Sequence, residues 1–471
     1  MTSSWSAPDD AELYRYGDGF ERVLRVQESF KIKSHPAADL TLSFTRHGPV
    51  LHEDGAKNRM IALRSVWLEP GAAAYLGSLT AMRAKSVADF GASLTHWGTP
   101  SVNHVCADTA GDVAWYTAGF TPVRPNWNGL LPVPGHGSHE WQGFLPAGEL
   151  PRAVNPPEGF LATANEMNLP ADRAANAPGI GYEWIEPSRA ERIKAVLRAD
   201  AVHSLEAAGR LQNDVVSLPA VRLCKLLGAA SLDAAAESDV ALALGLFRDW
   251  DGALAADSAP AVLFEVWWMK HLRPALLAAM VPDPAVRALL TPGHVESLVS
   301  LLELPDARFG EAPQVAHDRL LASTLNAAVL DVRARLGADP AMWRWGDLHH
   351  GYFQHAATVL QDNAHAAWDI GPLPLGGSTS TPMHAGYRLS DFRVIAGASV
   401  RLVMDVGDWD ASVCINAPGQ AGDPSSKHYG DLAPLWADGR YVPLLYSAAR
   451  IAEATDTLIH LVPCTTAGPS E

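Results

Sequence analysis

Residues 155 to 166 read NPPEGFLATANE, a Pro-rich turn running into a short apolar stretch that ends on an amide, Asn165, followed at once by a carboxylate, Glu166. FLATA has the composition of a strand leaving the core. Side chains at strand ends that open into a cleft are where binding and catalytic groups tend to sit, because a rigid scaffold aims them. The simpler local reading is a turn former, since asparagine bonds its own backbone and tolerates unusual φ/ψ.

A second group is GDLHHGYFQH, residues 346 to 355, which offers Asp347, His349, His350 and His355. His349 and His355 on one strand face, with the carboxylate, would suit zinc. The flanking Trp343, Trp345, Tyr352 and Phe353 point instead to aromatic packing with one or two core histidines. Arg189 is the third candidate. It follows Ser188 at the expected start of a helix, where a cation faces the positive end of the macrodipole, so a partner is expected to hold it. Glu186 and Glu191 are the nearest choices. A GxSxG elbow, a Walker loop, a GxGxxG turn and an HExxH pair are all missing from the sequence, which removes several large enzyme classes.

The elements that must position these groups fall in the order β, α, β. Residues 20 to 66 alternate as strands do, in FERVLRVQESFKIK, DLTLSFTRHGPVL and MIALRSVWLEP. Residues 79 to 96 read as helical. SVNHVCADTAGDVAWYTAGFTPV reads as a hairpin turning at Gly111. From Ser188 the period becomes helical, opening on SRAE, a capping box in which Ser188 caps and Glu191 reaches back. Helices follow in SLEAAGRLQNDVVSLPAVRLCKLLGAA, APAVLFEVWWMKHLRPALLAAM and VAHDRLLASTLNAAVLDVRARLG, giving a helical portion of about 188–337. SVRLVMDV and ASVCINA return to strands. This order predicts an α+β architecture and one interwoven domain, 1–471, in which strands of 20–66 pair with or face those of 399–417.

The chain has 471 residues, 48% apolar and 19% charged, with 15 Trp, so it has ample material for a core and is not disordered. Its charge of −16, from 52 acids against 36 bases with no dense basic run, argues against nucleic acid as a partner. Apolar stretches such as HLRPALLAAMVP are broken by Arg and Pro before the ~20 residues a membrane span needs, so no membrane association is expected. Cys106, Cys224, Cys414 and Cys464 lie far apart and read as buried small hydrophobes. MTSSWSAPDDAELYRYGDGF has no basic or apolar region of the kind a secretory signal needs.

Taken in chain order these stretches resemble the penicillin acylases, amide hydrolases of the N-terminal-nucleophile (Ntn) class. The landmarks are TRHGPVL at 45 to 51, ADTAGDVAWYTAG at 107 to 119, LPVPG at 131 to 135, NPPEGFLATANE at 155 to 166 and PSRAERIKAVL at 187 to 197. FRDWDG at 247 to 252, WRWGDLHHGYFQHA at 343 to 356, GYRLSDFRVI at 386 to 395 and PGQAGDPSSKHYGDLAPLWADGRYVPL at 418 to 444 continue the series. The resemblance implies a layered αββα Ntn-hydrolase fold with a helical insertion. It implies hydrolysis of an amide joining a hydrophobic acyl group to a polar amine, of the β-lactam or acyl-homoserine lactone class. Asn165 matches the asparagine whose side-chain amide donates to the oxyanion, a preorganised neutral donor aimed at developing charge. Arg189 matches the arginine that orients the active-site entrance.

The same resemblance implies departures. The family's nucleophile is a serine freed at the start of the large subunit in a stretch like Gly-Ser-Asn-x-Trp, with its own α-amine as base. No internal stretch of this sequence matches it. The chain is therefore expected to be truncated, starting part-way through the large subunit and lacking the nucleophile, the small subunit and most ligands of the family's structural calcium. An unpaired sheet edge or apolar patch is expected where those strands belong. Removal of Met1 would expose Thr2 in Thr-Ser-Ser-Trp, a workable nucleophile. Against it, the chain passes straight to YRYGDGF, a landmark that belongs several strands later. The expected partners are a small acyl amide and a missing small subunit or N-terminal fragment, and no cofactor is required for the chemistry. The isolated chain is expected to be inactive; the alternative function is a degenerate, non-catalytic family member. Family members are often periplasmic or secreted, but the sequence assigns no location.

Overall fold

The computed structural model describes residues 2–7, 10–72, 79–170, 179–200, 202–230, 232, 238–356 and 368–463. Its contacts divide the chain into two compact units, Met1–Ile185 and Glu186–Glu471.

The first unit is mostly sheet, as its β-branched and aromatic runs dictate. Strands β1 (Thr2–Ala7), β2 (Asp10–Tyr16), β3 (Gly19–Arg22), β4 (Leu24–Phe30), β5 (Ala38–Thr45), β6 (Gly48–Asp54) and β7 (Arg59–Ala62) lie in the order β3-β2-β1-β7-β6-β5-β4. Of the expected helical stretch, Val87–Ser93 is α-helix, started by the Ser86 hydroxyl accepting from Asp89 N at 3.1 Å. Strands β8 (Val102–Ala107) and β9 (Val113–Ala118) form the expected hairpin, in register from Val102↔Ala118 to Ala107↔Val113. Gly111 takes φ +94° in its turn, a conformation that favours glycine. β10 (Val133–Pro134) adds in parallel to β1, and β11 (Arg152–Val154) pairs with β9.

The second unit is a helical body followed by short strands. The run from Ser204 to Ala230 is two helices, Leu205–Gln212 and Leu218–Ala229, rather than one. Ser204 and Ser217 cap them, accepting from Ala207 N and Ala220 N at 3.1 and 3.3 Å. The apolar period carries across the break, but Pro219 and the capping serine restart the helix. Helix Ala259–Val266 continues through a wide π-turn, Trp267–Leu272, into Arg273–Met280. Pro274 explains the widening, since it has no N–H to offer the preceding turn and its ring crowds the carbonyl there. Helices Val295–Glu303 and Pro313–Leu336 close around this segment. Phe247, Phe264, Trp267, Leu302, Leu325, Trp343 and Trp345 form one continuous core.

The remaining strands are β12 (His350–Phe353), β13 (Ile370–Pro374), β14 (Ala385–Tyr387), β15 (Val394–Gly397), β16 (Val400–Val403), β17 (Val413–Asn416) and β18 (Val442–Pro443). β16 and β17 pair with each other, Val400↔Asn416 through Val403↔Val413, and β18 adds to β17. The expected pairing of strands in 20–66 with strands in 399–417 does not occur among the described residues. Each strand finds its antiparallel partner nearby in sequence, where loop closure costs least.

Candidate functional site

FLATA is not a strand: none of residues 160 to 164 enters a ladder. The stretch is extended, tied to β8 by Asn103 Nδ2 donating to Thr163 Oγ1 at 3.3 Å. Its entry is fixed by Asn155 at φ +47°, whose Oδ1 accepts from Val113 N at 2.9 Å while its Nδ2 donates to Asp112 Oδ1 at 2.8 Å. Asn155 went unnoticed in the sequence because its partners lie more than forty residues away.

The stretch ends in a bend at 164–166. Asn165 sits there at φ +69°, a left-handed conformation that asparagine adopts more readily than most residues. Its neighbours Ala164 and Glu166 are buried while Asn165 itself is exposed. Two bonds lock the bend: Glu166 Oε2 accepts from Ala164 N at 2.8 Å, and the Asn165 carbonyl accepts from Ile185 N at 2.9 Å. Glu166 thus folds back onto the bend rather than reaching past residue 170; residues 171–178 lie outside the described set. The result is a primary amide presented outwards by a buried, hydrogen-bonded platform. Such an amide can donate N–H to an anion with little reorganisation.

Arg189 belongs to the second unit, half-buried in helix Ser188–Ala199. The expected capping box is not formed. Ser188 is the first helical residue, Pro187 is the cap, and Ser188 turns to Glu186 instead of bonding the backbone ahead. Buried Glu186 Oε2 accepts from Ser188 N at 2.9 Å and from the Ser188 hydroxyl. A carboxylate is a stronger acceptor than a hydroxyl and its charge suits a helix N-terminus, so it displaces the serine cap. The anion also offsets the unfavourable place of Arg189 in the first turn. Three residues on, Arg192 Nε and Nη2 both donate to Asp214 Oδ2, at 2.9 and 2.6 Å. Arg189 lines a cavity of about 510 Å³ together with His384. Burial first, and then the nearby Arg189 charge, hold the His384 imidazole below its usual range.

GDLHHGYFQH is packing, and its polar side chains part company. His349 is fully buried and stacks on Trp345 with ring centroids 4.6 Å apart. Its Nδ1 bonds the Leu375 carbonyl at 2.9 Å and its Nε2 faces that of Ala385 at 3.3 Å. Burial holds its pKa down at about 4, so it is neutral. His355 lies against Trp368, outside strand β12, and Asp347 is exposed. Among the described residues no three His, Cys, Asp or Glu side chains are grouped to hold a metal, so no step is assigned to the family's calcium. No described helix is long and apolar enough to cross a membrane. Cys106, Cys224 and Cys414 are free thiols, half-buried rather than buried; Cys464 lies outside the described residues.

One buried cluster had no signal in the sequence. Glu265 is buried in helix Ala259–Val266 and accepts from the Tyr387 hydroxyl, 122 residues away. Burial pushes its carboxyl up to about 7, against smaller opposing effects from Tyr387, Ser378 and Arg273. Arg273 is itself buried, donating to the carbonyls of Pro292 and Gly293 at 3.1 and 2.7 Å. The cluster ties the helical core to β14 and the loop leading into it.

A mixed helix-and-sheet chain that presents a backbone-locked asparagine matches the penicillin amidase family over residues 5–453, and it belongs to that family. It is 31% identical over 472 residues to penicillin acylase 2 proenzyme of Pseudomonas sp. (strain SE83), covering 97% of this chain and 58% of that protein. It is 28% identical to acyl-homoserine lactone acylase QuiP of Pseudomonas aeruginosa, covering 91% of this chain and 56% of that protein. The chain therefore spans a little over half the length of these relatives. Thermostable penicillin G acylase from Alcaligenes faecalis has a similar fold, with TM-score 0.70 at 19% identity over 99% of this chain and 86% of that one.

Proposed function

We propose that this chain carries part of the active site of an amide hydrolase of penicillin acylase type, built on a layered αββα Ntn-hydrolase fold with a helical insertion. It would cleave a hydrophobic acyl group from a polar amine, as in a β-lactam side chain or an acyl-homoserine lactone. The family match over residues 5–453 carries this reading. In it, the Asn165 amide donates N–H to the oxyanion of the tetrahedral intermediate, and Arg189 orients the entrance and the substrate. The attacking serine and its α-amine come from the family's nucleophile-bearing segment, with which this chain would act.

The test must separate the oxyanion donor from the turn former, because both place asparagine at φ +69°. Asn165→Gly keeps the left-handed bend and removes only the amide. In an assembly that includes the nucleophile-bearing segment, it is expected to lower kcat on a chromogenic acyl anilide about a hundredfold, with KM little changed. A glycine variant that works within about threefold of the parent, beside an inactive Asn165→Val, would show that only the bend matters.

A further inference from the structure

The cavity beside Arg189 is built from three elements of the second unit, each turning an apolar stripe inwards. Helix Ser188–Ala199 contributes Ile193, Val196 and Leu197, the i, i+3, i+4 face of an amphipathic helix. Helix Leu205–Gln212 contributes Ala208 and Leu211. β16 contributes Val400 and Leu402, its alternate residues, whereas Arg401 points to the other face, where its Nη1 donates to the Trp436 carbonyl at 2.8 Å. Gln212 fixes the floor, its Nε2 donating to the Leu402 carbonyl at 2.7 Å. At about 510 Å³ the space lies within the roughly 300–1,000 Å³ common for small-molecule pockets.

The polar groups are not spread evenly along these walls. Arg189 stands at the first turn of its helix with His384 nearby. Asp200 and His203 stand in the connection to the next helix. Eleven residues of helix separate Arg189 from Asp200, about 16 Å at 1.5 Å per residue. An apolar slot with a guanidinium towards one end has the shape and charge of a receptor for a chain with one anionic head.

We propose that this cavity binds a medium-chain fatty acid, its hydrocarbon tail between the two helices and β16 and its carboxylate on Arg189. A guanidinium suits the head because its planar fork matches a carboxylate in two parallel hydrogen bonds. The site lies wholly in the second unit and depends on no step of the hydrolase reading.

Titration calorimetry of the full 471-residue chain with hexanoate, octanoate and decanoate, each as a monomer in solution, tests it. Each pair of methylenes added is expected to tighten Kd by roughly four- to fifteenfold, the increment for burying CH₂ groups. Arg189→Met is expected to weaken decanoate about tenfold or more while leaving decanol unchanged, and Arg189→Lys to recover part of the loss. Leu402→Asp, on an exposed strand position, is expected to abolish both ligands. Absence of decanoate binding to the parent chain overturns the proposal, as does binding that ignores chain length or survives both Arg189→Met and Leu402→Asp. Binding is read without turnover, so this result and that of Asn165→Gly stand or fall separately.

Discussion

The two units bury their apolar residues differently. In the helical unit Phe264, Trp267, Trp343 and Trp345 are sealed inside a single core, with Glu265 and Arg273 paired off within it. In the sheet unit the cluster around Tyr14, Val23 and Met60 is small, while Phe20, Leu24 and Leu40 are 54%, 61% and 49% exposed. What holds that sheet is ladder hydrogen bonding and partly exposed charge. Arg25 pairs with Glu12 and Glu53, and Arg46 pairs with Glu21 while lying over Tyr16. Burial, and then the Glu21 carboxylate, push the Tyr14 hydroxyl up to about 12. Similar residue types thus give a rigid body where they face one another and a thin, solvent-washed sheet where they do not. Substitutions should therefore weigh very differently in the two units.

Trp345→Ala should have the largest effect, about 3–5 kcal/mol, because it opens a cavity and strands the Gly377 carbonyl that its indole N–H meets at 3.0 Å. Denaturant unfolding followed by tryptophan fluorescence measures it; a loss under about 1 kcal/mol would mean that the helical core is not a close-packed unit. Glu265→Gln comes next. The Glu265 carboxyl titrates near 7 in the fold against an ordinary 4.5, so the folded state keeps a proton that the unfolded state releases. Its contribution to stability is fully present below pH 4.5 and is lost as pH rises towards 7. Glutamine keeps the Tyr387 bond and removes the titration. The melting temperature of the variant relative to the parent should therefore climb by several degrees between pH 5 and 8, and a flat difference would remove Glu265 from the linkage. Smallest of all is Leu24→Thr on β4, expected to shift stability by no more than about 0.5 kcal/mol. A loss above 2 kcal/mol there would mean that this strand face is covered in solution, and would erase the contrast between the units.

Much of the architecture could be read from local pattern, because a strand or helix announces its period within a few residues. The Gly111 hairpin and the strands β4 to β7, β16 and β17 follow from alternation and turn chemistry alone. Three readings failed where a competing acceptor or partner decided the outcome. Ser188 looks like a cap until Glu186, two residues earlier, takes its hydrogen bonds. FLATA has strand composition, yet composition cannot supply a ladder. The run around Asn213 keeps its apolar period through a break enforced by Ser217 and Pro219. Asn165 was visible as an amide at the end of an apolar stretch, but not the bend that presents it. Its platform needs Glu166 folded back and Ile185 arriving from twenty residues on. The Glu265–Tyr387 contact, across 122 residues, had no local sign at all.

The widened turn at Trp267–Leu272 constrains how this chain can tolerate insertion and deletion. A loop gains or loses a residue at little cost, but each residue in a helix sets the bearing of everything after it by about 100°. Deleting one residue here would return the segment to an ordinary α-helix. Arg273 would then swing away from the carbonyls of Pro292 and Gly293, leaving a buried cation without acceptors. The length of this stretch is thus as fixed as the identity of its tryptophans, and single-residue deletions across 259–280 should be tolerated nowhere.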